Sequence, residues 1–319
     1  MSNPLHPVIC FGEALIDFLN SGHHQSDGLM IQHFQQFPGG APANVAVAIA
    51  KLGGNARFIG QVGSDMFGDF LLDCLRQYGV DTSGSLQHPT APTALAFVAL
   101  DEHGERSFSF YRDRSADVLL TSEQIDDHLL RDGRIFHLCS NTLTTPQICV
   151  TTEGLLQRAA EAGLLVSMDV NLRHNLWPAG QAEIAVVNAV VAQAQVLKFS
   201  REEYDYLYHG DEQYIAQLLA EQARLIVITD DGRPITFYTR NGQGTIEAPK
   251  VDVVDTTCGG DAFSGGLLWQ LSRLDDPIAV LADPQQVEKI IAFAARCGAH
   301  TVTRPGAFPA LPVAADVCD

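Results

Sequence analysis

Short apolar runs alternate along the chain with longer amphipathic segments. The short runs predict strands at Val8–Gly12, Arg57–Val62, Ile135–Ser140, Leu164–Val170, Val196–Phe199 and Leu225–Thr229. The amphipathic segments predict helices over Pro42–Leu52, Met66–Tyr78, Pro146–Ala162, Ala182–Ala194, Asp211–Gln222, Gly260–Leu274 and Pro284–Cys297. Continuous apolar strands that alternate with helices are typical of a parallel sheet covered on both faces. The pattern therefore predicts an α/β fold.

Two regions, 14–37 and 91–112, have strand character without a long helix between the strands. In the second region, Thr93–Leu100 and Arg106–Tyr111 flank a turn-like segment, Asp101–Gly104, which predicts a hairpin. Gly28–Phe37 is expected to be the partner strand of that hairpin. We expect these pieces to form a small β-sheet lid, inserted into a single domain that spans residues 1–319.

Composition narrows the classes of protein that fit. The 319 residues are 46% hydrophobic and 18% charged, which suits one or two globular domains. The net charge of −18 disfavours nucleic acid and anionic membranes as partners. The sequence has neither an apolar run of about 18 residues nor a signal-peptide pattern. Seven scattered cysteines without a CxxC pair suit a reduced compartment, so we expect a cytoplasmic protein.

The segment VVDTTCGGDAFSGGLL, residues 253–268, predicts a strand, a glycine-rich turn and a helix. Gly259 and Gly260 allow close approach of a ligand, and the first amides of a helix bind phosphate. A carboxylate at that place, Asp261, indicates proton abstraction from an attacking hydroxyl group. The alternative is an ordinary helix start at which Asp261 only favours the helix dipole. The chain has neither a Walker loop nor a dinucleotide fingerprint.

A second polar constellation lies near the N-terminus. Asp17 follows the first strand, and a double glycine, Gly39 and Gly40, precedes a helix with Pro42 in its first turn. Asn44 offers both a donor and an acceptor, as recognition of a polyol requires. The alternative is a turn followed by an amphipathic helix that Asn44 caps.

The two segments lie about 215 residues apart, and together they resemble the ribokinase-like (PfkB) family of carbohydrate kinases. Gly39–Asn44 with Phe58–Asp65 is similar to the family's N-terminal signature, and Asp255–Asp261 to its C-terminal one. The resemblance implies a ribokinase-like fold, with a central, mostly parallel sheet flanked by helices and a small β-sheet lid. It also implies site residues: an anion hole from the amides of Cys258, Gly259 and Gly260, Asp261 as catalytic base, and Asp17, Gly39, Gly40 and Asn44 as sugar ligands.

The resemblance extends to the nucleotide and metal sites. It implies ATP binding by Asn171, Arg173, Lys198, Glu203 and Thr229, with Mg²⁺ held by Glu203 through water. It further implies a K⁺ loop formed by Asp255, Thr257, Thr301, Arg304 and Gly306. Two alternatives stay open: Arg173 as a surface arginine on a loop, and Glu203 as the partner of Ser200 in a capping box.

The chain departs from the family pattern at two places. Cys258 stands where Gly or Ala is usual, and a thiol at a helix N-terminus is expected to have a lowered pKa and to react with oxidants. The alternative is a small residue that merely fits. Asp231 and Pro234 replace glycines of the nucleotide-side turn, which leaves only Thr229 as an expected contact there.

The lid segment Phe108–Arg112, with Ala116 and Asp117, resembles fructokinases. The resemblance therefore implies ATP-dependent phosphorylation of D-fructose to fructose 6-phosphate. Alternatives are a 2-keto-3-deoxygluconate kinase, in which Arg112 meets the substrate carboxylate, a ribokinase, or a non-catalytic sugar sensor on the same fold. We also expect a homodimer that covers the lid.

Overall fold

The computed structural model describes residues 6–100 and 106–318. The strands are β1 Val8–Phe11, β2 Leu15–Ser26, β3 Leu29–Gly39, β4 Ala56–Gly63, β5 Asp81–His88, β6 Leu95–Leu100, β7 Arg106–Tyr111, β8 Ile135–Cys139, β9 Leu165–Asp169, β10 Val196–Ser200, β11 Leu225–Thr229, β12 Ile235–Thr239 and β13 Gly242–Ile246. The helices are α1 Ala41–Lys51, α2 Met66–Gln77, α3 His128–Arg131, α4 Pro146–Glu161, α5 Ile184–Val191, α6 Arg201–Tyr208, α7 Gln213–Ala220, α8 Gly259–Ser272, α9 Pro277–Leu281, α10 Pro284–Thr301 and α11 Ala314–Val317.

The main sheet has the strand order β13-β12-β11-β10-β9-β8-β1-β4-β5. Its strands pair in parallel from β11 to β5, and β12 and β13 add an antiparallel hairpin at one edge. Successive residues of the central strands alternate between two cores: Val8 and Cys10 join one, whereas Ile9 and Phe11 join the other. Helices therefore cover both faces, as the alternating pattern predicted.

The lid is a four-stranded sheet of order β3-β2-β6-β7. The prediction that Gly28–Phe37 pairs with the hairpin strands is wrong, because β2 lies between β3 and β6 and pairs with both. The stacking of Phe18 of β2 on Phe97 of β6, with ring centroids 4.9 Å apart, supports this order. The predicted turn Asp101–Gly104 lies outside the described residues.

Two helices on one face determine where the site forms. A Cβ on Gly265 of α8 would collide with Ala48 of α1, so the glycine lets the two helices cross closely. This crossing holds the start of α1 against the start of α8. At the same edge of the sheet, β9, β10 and β11 end next to one another, with Lys198 paired to Asp169 and Ser200 to Thr229. Ligands of open α/β sheets bind at this edge.

Candidate active site

The starts of α1 and α8 bring the two sequence signatures into contact. Asn44 Nδ2 donates to Asp261 Oδ2 at 2.7 Å. Asn44 Oδ1 is buried and has no hydrogen-bond partner among the described residues. A buried polar atom without a partner is costly. The structure thus brings Asn44 and Asp261, one from each signature, into contact and leaves an acceptor open beside them.

The carboxyl group of Asp261 has an unusual proton affinity. Burial, and then the negative charge of Asp169, raise its pKa to about 6. The amide of Asn44 and the cations Arg173 and Lys198 oppose this rise. A base whose pKa lies near neutrality can accept a proton and still be ionised at physiological pH. Asp261 is therefore chemically suited to deprotonate a hydroxyl group.

Cys258 caps α8 in the left-handed region, with φ 66°. Gly259 N donates a long bond of 3.4 Å to Thr256 O. The expectation of a lowered thiol pKa at Cys258 is wrong: burial raises it, and the nearby carboxylates of Asp261 and Asp17 add to the effect. The helix dipole is outweighed by desolvation and by like charge. Cys258 is a buried thiol at this turn, with little thiolate character.

Lys198 and Asp169 form a buried ion pair beside the start of α8. Lys198 Nζ lies 3.0 and 2.8 Å from the two carboxylate oxygens of Asp169, and Ser264 Oγ donates to Oδ2 at 2.9 Å. A Cβ built on Gly260 would lie 3.3 Å from Lys198 Nζ, so the ammonium group faces the glycine turn. The sequence selected Lys198 but missed Asp169, although Asp169 opens the same motif as Asn171 and Arg173.

Glu203 joins two loops at this edge. It closes the predicted capping box, because Ser200 Oγ accepts from Glu203 N at 3.1 Å and Glu203 Oε2 accepts from Ser200 N at 2.8 Å. Its other oxygen accepts from Leu172 N at 2.8 Å. Burial, followed by the charge of Asp169, raises its pKa. Each carboxylate oxygen keeps a lone pair, so a water-mediated role of Glu203 toward a metal fits.

The turn after β9 presents Asn171 and Arg173. Asn171 adopts a left-handed backbone with φ 43°, a conformation that Asn tolerates better than most residues. The exposed side chain of Arg173 donates to Leu172 O at 3.0 Å, and its charge acts on Asp261. Because its charge acts on Asp261, a role in binding is favoured over that of a remote surface residue.

The carboxylate of Asp17 packs against Gly39, the first residue of the double glycine. A Cβ on Gly39 would collide with the carboxylate of Asp17, and a Cβ on Gly40 would lie 2.5 Å from Glu13 O. Gly40 also has φ 103°, which favours glycine. Burial, and then the charges of Asp261 and other carboxylates, raise the pKa of Asp17 to about 7. Asp17 and Asp261, both selected from the sequence, therefore lie close enough for their charges to interact.

Glu13 is a buried residue of this site that sequence reasoning missed. Its Oε1 accepts from Ala41 N at 3.2 Å and from Asn141 Nδ2 at 2.9 Å, which fixes the turn before α1.

Arg112 lies nearby and donates to Asp117 Oδ2 at 2.5 Å and to Asn141 O at 3.0 Å. Three of the five Arg112 N–H groups have protein acceptors, counting the bond to Thr144 Oγ1. Its expected contact with substrate stays a prediction.

The predicted cation loop comes together around Asp255. Its carboxylate accepts from Thr257 N at 2.7 Å and from Gly306 N at 3.0 Å. Thr301 Oγ1 donates to Cys297 O, and Thr301 O accepts from Arg304 N. Val302 O accepts from Asp255 N at 3.1 Å, so the segment 301–306 lies against the turn that precedes α8, and a role of these residues in binding a cation stays a prediction. A buried carboxylate with surrounding backbone carbonyls is a donor set that fits K⁺.

The nucleotide-side turn follows β11. Thr229 Oγ1 donates to Phe199 O at 3.3 Å, so its hydroxyl also links β11 to β10. Asp231 has φ 48°, so it adopts the left-handed conformation that the usual glycine would take. Arg233 N donates to Asp230 O at 2.8 Å and closes the turn. The turn is therefore closed by a backbone hydrogen bond, and it carries an acid, Asp231, where the family pattern has glycine.

Comparisons with known proteins agree with this geometry. The family model described as "pfkB family carbohydrate kinase" matches residues 6–314. Fructokinase-2 of Zea mays is 40% identical over 98% of this chain and 93% of its own. A fructokinase from Xylella fastidiosa with bound ATP has a TM-score of 0.91 and 43% identity, covering 98% of this chain and 97% of that one. A double mutant of Vibrio cholerae fructokinase with bound fructose, ADP and potassium ion has a TM-score of 0.87 and 34% identity, over 99% and 98%. The chain belongs to the pfkB family of carbohydrate kinases.

Proposed function

We propose that this protein is a fructokinase, which transfers the γ-phosphoryl group of ATP to the C6 hydroxyl of D-fructose. The observation that carries the proposal is the Asp261 carboxyl, with a pKa of about 6, held by Asn44 at the start of α8. Phosphoryl transfer requires mainly positioning and charge neutralisation around such a base. Fructokinases at about 40% identity along nearly the whole chain support fructose as the acceptor.

In this proposal each part of the site has one task. Asp261 accepts the proton of the attacking hydroxymethyl group, while Asp17, Asn44 and the Gly39–Gly40 turn bind the other sugar hydroxyls. Backbone amides at the start of α8, from residues 258–260, donate to the transferred phosphoryl group as charge develops there. The nucleotide side is assigned to residues at the sheet edge: Asn171, Arg173, Lys198 and Thr229.

Two metal ions accompany the nucleotide in the proposal. Glu203 and Asp169 are the acids that would hold Mg²⁺, through water in the case of Glu203, and Mg²⁺ supplies charge neutralisation at the phosphates. The loop around Asp255 would hold K⁺, with carbonyls from the segment 301–306. Because this loop is connected to Thr257, it also determines the position of the amides that precede α8.

The assembly and location belong to the same proposal. We infer a homodimer that covers the lid, where Leu29 and Met30 expose 65% and 62% of their surface. Light scattering at micromolar concentration is expected to give twice the chain mass, and a monomer would contradict the dimer.

We also infer a cytoplasmic location, supported by seven free cysteines. No helix within residues 6–100 and 106–318 is long and apolar enough to cross a membrane.

The test of the function is ADP release with Mg-ATP against fructose, 2-keto-3-deoxygluconate, ribose, tagatose and adenosine. We expect the highest kcat/KM for fructose and a product phosphorylated at C6. Preference for 2-keto-3-deoxygluconate would instead assign Arg112 to a substrate carboxylate. Sugar binding without turnover of any compound would refute the kinase and favour a sensor.

A further inference from the structure

A cavity lies at the ends of the main-sheet strands opposite to those near Asp261. Its volume is about 560 Å³, within the range of small-molecule sites. Its lining includes His6, Arg131, Arg134, Leu164, Gln195 and Arg224. Several of these residues directly precede β8, β9, β10 and β11, whose other ends carry the active site. Strands of five residues separate the two edges by roughly 16 Å.

The charged residues that line this cavity are basic, whereas the chain as a whole is acidic. The protein has 38 acidic and 20 basic side chains, yet the cavity is lined by three arginines and a histidine and by no aspartate or glutamate. A random sample of charged residues from this chain would be mainly acidic. The cavity is therefore a local positive site on an acidic protein, and it favours an anion.

The guanidinium groups keep donors for such an anion. Arg131 lies exposed in the last turn of α3, and the described residues give its side chain no hydrogen-bond acceptor. Arg224 uses Nη1 on carbonyls that follow α7, the shortest bond being 2.7 Å to Gln222 O. Arg134 uses Nη2 on the carbonyls of Leu274 and Asp275. Each guanidinium has five N–H groups, so donors remain on all three.

The remaining walls indicate the size and polarity of the ligand. Leu164, Leu165, Pro277 and Ile278 give the cavity an apolar side, and Ile278 is 41% exposed. Gln195 is held in place, because its Oε1 accepts from Val166 N at 2.7 Å. An inorganic ion would leave the apolar side unused. A ligand with a carbon body and a multiply charged head would use both sides.

We propose that this cavity binds a small organic phosphate, of the size of a sugar phosphate, at a site separate from the catalytic one. A phosphate group offers three oxygens to the guanidinium groups of two chain segments, 131–134 and 224, whereas a carboxylate offers two. The competing explanation is that the arginines only cap helix ends, as Arg224 does at α7. In that case the cavity would have no affinity for phosphates.

The experiment is calorimetric titration with glucose 6-phosphate, whose C6 hydroxyl is already esterified. Titrations are made with and without saturating fructose and ADP, which occupy the catalytic site. We expect one site per chain, unchanged by fructose and ADP, and weaker binding of inorganic phosphate. Absence of binding, or its loss in the presence of fructose and ADP, would overturn the proposal.

Variants of Arg131 locate the site. Arg131→Glu is expected to weaken binding at least about tenfold and Arg131→Gln by less, because a charged hydrogen bond is lost and, with Glu, repulsion is added. Arg76→Glu, an exposed arginine on α2, is the matched control and should bind like the wild type. All three variants should keep the wild-type kcat. Equal affinity of Arg131→Glu and the wild type would refute the assignment, and wild-type melting temperatures confirm that the variants are folded.

Discussion

Replacement of Asp261 by asparagine is expected to stabilise the folded protein at alkaline pH. Folding moves this carboxyl from water, where its pKa is about 3.8, into a site where its pKa is about 6. Because the folded-state pKa is raised, the ionised form is disfavoured by folding, and the free energy of unfolding decreases as pH rises from about 4 to about 6. The neutral amide avoids this loss, and its oxygen can still accept from Asn44 Nδ2.

The magnitude follows from the two pKa values. A difference of about two pKa units corresponds to about 3 kcal/mol when both states are ionised, as at pH 8. At pH 5 most of the folded carboxyl is already protonated, so the same linkage gives only about half of this free energy. Asp261→Asn should therefore be more stable than the wild type, and its advantage should be about twofold larger at pH 8 than at pH 5.

Urea unfolding of both proteins at the two pH values measures this advantage. Asp283→Asn is the matched control: its exposed carboxyl caps α10, and hydrogen bonds from Gln286 and from Gln285 N lower its pKa. Asparagine caps helices about as well as aspartate, so the control should show no gain at pH 8. An Asp261→Asn protein that is less stable than the wild type at pH 8, or an advantage that does not change with pH, would contradict a raised pKa of Asp261 in the folded protein.

Three further results are expected. The value of kcat/KM for fructose should rise with pH between about 5 and 8, because Asp261 and Asp17, with pKa values of about 6 and 7, must be ionised. A flat profile would contradict Asp261 as the base and Asp17 as a sugar ligand. Gly40→Ala should raise KM for fructose at least tenfold and lower the melting temperature, because its Cβ would approach Glu13 O to 2.5 Å at a φ of 103°. A variant with the KM and melting temperature of the wild type would exclude strain at residue 40. Iodoacetamide at pH 7.5 should leave activity unchanged for hours, because the buried Cys258 thiol has a raised pKa; ATP-protected inactivation would contradict this.

The sequence was most informative where strands are buried on both faces. The predicted strand Leu225–Thr229 agrees with β11, and the other central strands agree within about two residues at each end. The strand β5 was missed because it lies at the sheet edge, where its half-exposed side chains give no apolar alternation. The outer half of β2 was not recognised as a separate strand for the same reason, since residues from Ser21 to Ser26 are exposed and polar.

Residues of the candidate site could be predicted where they belong to a short sequence motif. Asp261, Asn44 and the double glycine all belong to such motifs, and the structure brings them together. Glu13 could not be identified in this way, because its partners Ala41 and Asn141 are 28 and 128 residues away in the chain. Only the fold shows that this buried acid supports the sugar-side turn.

Catalysis by Asp261 is tested most directly by the turnover number for fructose of the wild type and of Asp261→Asn, measured by ADP release at saturating Mg-ATP and fructose. We predict that the wild type turns over fructose and that the variant loses at least about 10²-fold in kcat, as expected on removal of a general base. A variant within tenfold of the wild type would contradict the role of Asp261 and the mechanism built on it.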